Sequence, residues 1–466
     1  MSAQVQLFGG VVFSPNVPNP ENVRRLDHGA LPMIAAMHRH GIRLDIPYIQ
    51  ALNVRIVDLQ RGYESEARSW LGRYQYRHAK HGYIPFNIGS RDHLAQLFFE
   101  ELRIQGDGVE LKRTPTGKRE EVSAEILEPY RDRHPAVGPV IEWHSCEKLR
   151  NTYTSVLPGL VDSESRLHTK FNVTVASTGR LSSSNPNLQN IPIRTKLGKE
   201  IRGAFVCSPG RVLVSADMAQ IEMVWAAHRS QDPVMLSVFR NRQDIHTRTT
   251  CEVFGLDYEK CADLTRRYEA KQTNEEESAA YLYFKQFQRL PCKTVGFGVL
   301  YGQTAEGLQK SLASEGIHWT LEQCEKFITQ DFFAVYGGLR VMLEDDYSFA
   351  RRYGMVVDYF GRVRLVPEAK SNLKWINNEG TRKAGNHPEQ SSAQGGLKLS
   401  MAELQPICER MDVWPLLQIH DQLISDCPVG LAQEFADVKT WVMEHSVPLS
   451  VPTRASNDIG ERWMDL

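Results

Sequence analysis

Residues 212–222 read Val-Leu-Val-Ser-Ala-Asp-Met-Ala-Gln-Ile-Glu. Val212, Leu213, Val214 and Ser215 make a short apolar strand that ends at Asp217. A second apolar run, Leu416 to Ile419, meets His420 and Asp421, and Leu423 and Ile424 follow. That pattern reads as a hairpin with an acidic turn. Two strands far apart in the sequence therefore each deliver an Asp at an end. Brought together, two such carboxylates repel unless cations sit between them. Two Mg²⁺ ions would relieve the repulsion and support in-line phosphoryl transfer. From pattern alone the bland alternative stays open, because Asp is common where strands end in turns.

Outward from these strands the chain is mostly helical, which points to an α+β architecture. From Leu31 to Leu160 the texture is helical. Leu31, Ile34, Ala35 and Met37 are expected to mark one apolar face, and Gly41 to stop that helix. Residues 1–26 read as an irregular leader rich in Gly, Pro and Asn. Arg61, Arg68, Arg73, Arg77 and Lys80 face only Glu64 and Glu66 within residues 61–80. Lys112 to Lys118 is a polar loop, and Lys271 to Ser278 is a charged segment without an apolar stripe, expected as a solvated helix or loop.

Composition excludes several classes. Of the 466 residues 41% are hydrophobic and 24% charged, so the chain is neither a disordered tail, a collagen nor a coiled coil. The net charge of -1 means that any surface for nucleic acid must be local. Eight cysteines without zinc spacing suit a reducing cytoplasm. The N-terminus lacks the pattern of a secretory signal, and nowhere do about 18 apolar residues run together, so no membrane role is expected.

Two further constellations stand out. Arg289, Lys293, Phe297 and Tyr301 recur at a spacing of four and share one helix face, cationic first and aromatic last. Pro291 suits a first helical turn, so a triphosphate is expected near a helix N-terminus here. The alternative is an amphipathic helix with a solvated basic end. Thr178-Gly179-Arg180-Leu181-Ser182-Ser183 and Asn187-Leu188-Gln189-Asn190-Ile191-Pro192 gather donors that can reach minor-groove acceptors and phosphates. Read alone, they would equally suit an exposed polar loop.

Taken in order, these segments resemble family A DNA polymerases, the group containing bacterial DNA polymerase I. Asp217 to Glu222 is similar to that family's motif A. Arg289-x3-Lys293-x3-Phe297-Gly298-x2-Tyr301-Gly302 is similar to motif B, and Gln418-Ile419-His420-Asp421 to motif C. Asp244-Ile245-His246 with Glu252 to Gly255, and Arg382-x3-Asn386-x3-Gln390, also match. The resemblance spans roughly residues 27–466.

The resemblance implies a right hand: a mainly helical thumb over 27–158, palm over 159–225 and 365–466 with an antiparallel sheet, and fingers over 226–364 carrying a helix at 289–302. It implies that Asp217, Asp421 and the Met218 backbone carbonyl hold two Mg²⁺, for which Mn²⁺ can substitute. Lys293 would protonate pyrophosphate. Arg289, Lys293 and His246 would bind the triphosphate, with Phe297 on the sugar, Tyr301 near the templating base and Gln220 beside the nucleotide. Glu222 would exclude a 2′-hydroxyl. Arg180, Asn187, Gln189, Asn190, Arg382, Asn386, Gln390 and His420 would track primer-template DNA. The partners are DNA and dNTPs. The expected state is a monomer, with accessory replication proteins compatible. The role is DNA replication or repair.

Departures from the family pattern qualify this. Gln422 stands where an acidic residue is usual. Met218 and Ala219 replace the usual aromatic and hydroxyl, and Val224 the usual Arg. Gly296 lies within the motif B helix, and 256–288 reads as a fingers insertion that suits a phage source. With about 30 residues ahead of the thumb, no proofreading or 5′-nuclease activity is expected within this chain. Gln422 keeps open a catalytically weakened protein that only binds primer-template junctions. A ribonucleotide or RNA-templated polymerase is the other alternative, opposed by Glu222.

Overall fold

A computed structural model describes residues 17–72, 74–106, 120–193 and 195–466. The polar loop expected at Lys112 to Lys118 lies outside the described residues, as do Arg73 and most of the leader. The central element is a four-stranded antiparallel sheet. Its order is Trp414–Ile419, Gln422–Pro428, Arg211–Met218, Ala455–Gly460. Its inner strands bury Leu213, Val214, Ala216, Leu423 and Ile424 almost completely, as the apolar runs predict.

Two-residue hairpin turns need a positive φ at their first position. His420 supplies it, with φ of 54°, so Ile419 pairs with Gln422 and Asp421 completes the turn. Gln422 in turn pairs with Asp217 on the neighbouring strand. Register alone therefore brings Asp217 beside the acidic turn, where the Met218 N–H donates to the Asp421 carbonyl at 3.3 Å.

The helix Ala432–His445 covers one face of the sheet through Phe435, Ala436, Val442 and Met443. It also buries Lys439, which donates Nζ to the carbonyls of Val214 (2.9 Å) and Leu423 (2.7 Å) and to Ser425 Oγ (3.2 Å). Burial drives this ammonium down to about 7. Those bonds tie the two inner strands behind the carboxylates.

The helix Pro20–His40 starts inside the stretch read as an irregular leader, capped by Asn19 and ended by Gly41. Its buried face is Leu26, Ala30, Met33, Ile34 and Met37, while Leu31 and Ala35 are exposed. The apolar face read from Leu31 and Ala35 is thus off by part of a turn. The reason is that the helix packs on the helix Lys374–Arg410 and the strand Trp414–Ile419, and so shares the core of the central sheet. A separate apolar cluster, from Ala67 to Trp143, underlies the expected thumb. On its surface Arg61 and Arg68 are paired with Asp58 and Glu64.

A third core joins the helix Ile221–Ser230 to the helices that follow, with Val224, Trp225, Val295, Phe332 and Leu339 inside. There Val224 packs as a core residue. Arg229 lies buried between Asp346, at 2.9 Å, and Glu389, fastening the helices Ile221–Ser230, Gly337–Tyr353 and Lys374–Arg410 together. The segment 256–288 forms two helices, Tyr258–Glu269 and Glu275–Tyr283. The first has no buried residue. Tyr268 stacking on Tyr281 and the 2.7 Å Arg267–Glu277 ion pair join the two. The charged stretch at Lys271 thus leads into a helix with a capping box at Asn274 and Glu277.

Candidate active site

Asp217, Met218, Ile419, His420, Asp421 and Gln422 line one wall of a cleft of about 890 Å³. The segment Pro186–Ile193 lines it too, through Asn187, Gln189, Asn190 and Ile191 among others, and Lys148, Tyr153 and Arg202 also contribute. The polar loop quoted above is therefore gathered at the acidic turn. Its side chains are not all directed at the opening. The Gln189 amide donates to the Gln418 carbonyl and side chain at 3.1 and 2.9 Å, and the Asn187 side chain accepts from the Gln189 N–H. Arg202 went unnoticed in the sequence reading, although the run Lys196, Lys199, Arg202 marked a basic face.

Asp421 is pushed up to about 6, first by burial and then by the negative charges of Glu222 and Asp217, against the pull of Arg180 and a hydrogen bond from Gln394. Burial and Asp458 also raise Asp217, which is the more open of the two. Among the described residues no group of three or more His, Cys, Asp or Glu side chains is arranged to hold a metal. The cleft holds two carboxylates, with Gln422 in strand register opposite Asp217. Two carboxylates with raised pKa values lining one cleft are the donor chemistry that a divalent cation fits.

This predicts an unusual pH dependence. A carboxyl whose folded pKa is raised stabilises the fold below its ordinary pKa and loses that contribution as pH rises through about 6. In divalent-free buffer at pH 7.5, Asp421→Asn is expected to be more stable than the parent by about 1–2 kcal/mol, allowing for partial solvent screening. The gain should vanish near pH 4. Denaturant melts at the two pH values check it, and added Mg²⁺ should narrow the gap.

The residues expected to meet a nucleotide come from several segments and form two groups, one around Glu222 and one around Arg289. Glu222, in the first turn of its helix, accepts from Arg180 Nη2 at 3.0 Å and from the Tyr301 hydroxyl. Burial and Glu222 push the Tyr301 phenol above its ordinary value. Gln220 caps this helix in a left-handed conformation, φ 50°.

The basic helix differs from expectation. Glu275–Tyr283 continues through a π segment, Phe284–Arg289, directly into Leu290–Leu300. Arg289 and Lys293 consequently lie mid-helix, and no helix N-terminus faces a phosphate there. Pro291 is tolerated because the widened turn ahead of it loosens the hydrogen-bond ladder that Pro cannot join.

Arg289 donates to Asp244 Oδ1 at 2.9 Å and to Thr247 Oγ1 at 3.1 Å. Although burial pushes Asp244 up, Arg289 and the Thr247 N–H hold it below its usual value. Lys293 is exposed. His246, 3% exposed, is driven down to about 4 by burial, with the cations of Arg289 and Lys293 adding to the effect. At neutral pH it is uncharged. The Phe297 side chain lies outside the described residues.

Gly302 ends this segment at φ 64°, and a Cβ there would meet Arg382 Cγ at 2.7 Å. That close approach joins Tyr301 to the helix Lys374–Arg410. This helix presents Arg382, Asn386 and Gln390 one turn apart. The same spacing of four continues to Gln394, which the sequence reading missed. Its amide donates to Asp421 Oδ1 at 2.8 Å.

The chain belongs to DNA polymerase family A, whose pattern it matches over residues 61–274 and 279–465. It is 38% identical over 433 residues to the thermostable DNA polymerase I of Thermus thermophilus, covering 93% of this chain and 47% of that protein. It is 36% identical over 442 residues to that of Thermus aquaticus, covering 95% and 48%. With the DNA polymerase I of Deinococcus radiodurans it shares 34% over 438 residues, 93% of this chain and 41% of that one. The chain thus spans about half the length of the curated relatives it matches. Among solved structures, the polymerase domain of Pol1 from M. smegmatis, in complex with primer-template DNA and dNTP, superposes with a TM-score of 0.78. That match has 29% identity and covers 94% of this chain and 70% of the other. The mixed helical and antiparallel fold is that of a polymerase I polymerase domain.

Proposed function

We propose that this chain is a DNA-directed DNA polymerase, adding deoxynucleotides to a primer 3′-hydroxyl in DNA replication or repair. The observation that carries this reading is the pairing of Asp217 with the Asp421 turn at the mouth of the cleft. In the reaction the primer O3′ bonds to the α-phosphorus, the bond to the β-phosphate bridge breaks, and pyrophosphate leaves. Two Mg²⁺, or Mn²⁺ in their place, held by Asp217, Asp421 and the Met218 carbonyl, would lower the pKa of the hydroxyl and neutralise the leaving group.

The chain's own residues do the rest. Arg289 and Lys293 bring cationic donors to the triphosphate, and neutral His246 contributes through its ring nitrogens. Lys293, whose side chain is exposed, is the group that hands a proton to pyrophosphate. Glu222, fixed from two sides by Arg180 and Tyr301, walls off the space below the sugar C2′. Gln220 and Phe297 flank the nucleotide. Arg180, Asn187, Gln189, Asn190, Arg382, Asn386, Gln390 and His420 hold the primer-template terminus, with Gln189 acting through its bonds to Gln418. The chain works as a monomer, with accessory replication proteins compatible, in the cytoplasm. Among the described residues no helix is long and apolar enough to cross a membrane.

Primer extension with Mg²⁺ and either dNTPs or rNTPs tests the reading. Extension with dNTPs and little with rNTPs is expected. Efficient rNTP use would favour the ribonucleotide alternative, and DNA binding without extension the weakened protein.

A further inference from the structure

Three glutamines from three separate segments converge on the turn that carries Asp421. Gln394, 2% exposed on the helix Lys374–Arg410, donates Nε2 to Asp421 Oδ1 at 2.8 Å and to the His420 carbonyl at 3.4 Å. Gln418, 1% exposed on the strand before the turn, donates to the same His420 carbonyl. Gln189, from the polar loop, donates to the Gln418 carbonyl and side-chain oxygen. Among the described residues the side-chain hydrogen bonds to the turn thus come from neutral amides.

Neutrality matters at this position. A Lys or Arg at 394 would place a cation on Asp421 and compete with the divalent ions it is proposed to hold. A carboxylate there would add repulsion where Asp217 and Glu222 already press on Asp421. An amide fixes the orientation of one carboxylate oxygen and leaves the charge of the pair unchanged. Orientation is at a premium here, because Gln422, paired with Asp217, brings no third charge to the site.

We propose that Gln394 is the positioning residue of the Asp421 carboxylate, acting with Gln418 and Gln189 as an amide clamp that presets it for divalent cations. This rests on the polymerase reading of the site. The helix that carries Gln394 also carries Arg382, Asn386 and Gln390, so the clamp links the acidic turn to the element proposed to follow the template.

The test uses the full chain with Gln394→Met, which keeps the shape of the side chain and deletes the donor, and Gln418→Met, which removes the second arm. Three quantities are read: Mn²⁺ half-saturation of the protein by electron paramagnetic resonance, primer-template affinity by fluorescence anisotropy, and single-turnover incorporation. For Gln394→Met the expected result is a loss of about tenfold in the maximal incorporation rate, the scale of one hydrogen bond to a charged group. Mn²⁺ half-saturation should rise about threefold or more, while dNTP half-saturation and DNA affinity stay within about twofold. Gln418→Met should show the same losses of rate and of Mn²⁺ binding, more weakly, together with a lower primer-template affinity because Gln189 loses its side-chain acceptor, while its melting temperature holds. Incorporation and Mn²⁺ binding both within about twofold of the parent would overturn the clamp and leave the polymerase reading standing. Parallel loss of rate, DNA affinity and melting temperature would also overturn it, since that is plain structural damage. A parent that extends no primer, yet binds Mn²⁺ more tightly than Gln394→Met, would sink the polymerase reading and keep the clamp.

Discussion

Asp421→Ala is expected to lower single-nucleotide incorporation by about a thousandfold or more, while primer-template affinity changes little. On the proposed reading the two carboxylates share the task of holding charge at the reacting phosphate, and one alone cannot keep two divalent ions together against their repulsion. Charge stabilisation of that kind contributes several kcal/mol to phosphoryl transfer, which at about 1.4 kcal/mol per decade gives the size of the loss. Binding to DNA depends mainly on phosphate contacts elsewhere on the surface and should persist. Asp217→Ala should behave alike, because its strand position opposite Gln422 makes it the other half of the same pair. Rapid-quench incorporation beside an anisotropy titration separates the two quantities. A mutant that incorporates within tenfold of the parent would contradict the assignment.

Glu222→Ala carries the second large effect. The carboxylate is held between Arg180 and Tyr301, so it cannot swing aside for a 2′-hydroxyl. Removing it opens that space, and the ratio of rNTP to dNTP kcat/KM is expected to rise by about a hundredfold. The dNTP value itself should fall by about tenfold, because the Tyr301 hydroxyl and Arg180 both lose their shared acceptor. Glu222→Gln, which keeps the bulk, should leave the ratio close to the parent. An unchanged ratio in the Ala variant would remove the role of Glu222 in sugar choice.

What could be read from sequence follows a physical division. The strand before Asp217 and the hairpin around Asp421 were legible because apolar runs that end in a turn have few other solutions. The contact of Glu222 with Tyr301 could be reached only through the family resemblance, since 79 residues separate them. The face of the first helix was misread because Leu31 and Ala35 look as apolar as Ala30 and Met33. Which of them is buried depends on the partner helix Lys374–Arg410, and no local pattern records that. The helix start at Pro291 was misread for a related reason: Pro often opens a helix, and a π segment that lets one continue has no clear sequence mark. Gln394 was missed because a glutamine in a long helix says nothing by itself. The spacing of four from Arg382 through Gln390 was the available signal, and it pointed one step further than it was followed.

The central claim is that base pairing with a template chooses which nucleotide is joined at the Asp217–Asp421 site. The most direct measurement offers four primer-templates, differing only in the templating base, with each dNTP singly and Mg²⁺. Each template is expected to be extended by one residue with its complement at least about a hundredfold faster than with any other, and Asp421→Ala to slow all four reactions by about a thousandfold or more. Extension that ignores the template, or that proceeds within about tenfold of the parent rate in Asp421→Ala, would contradict it.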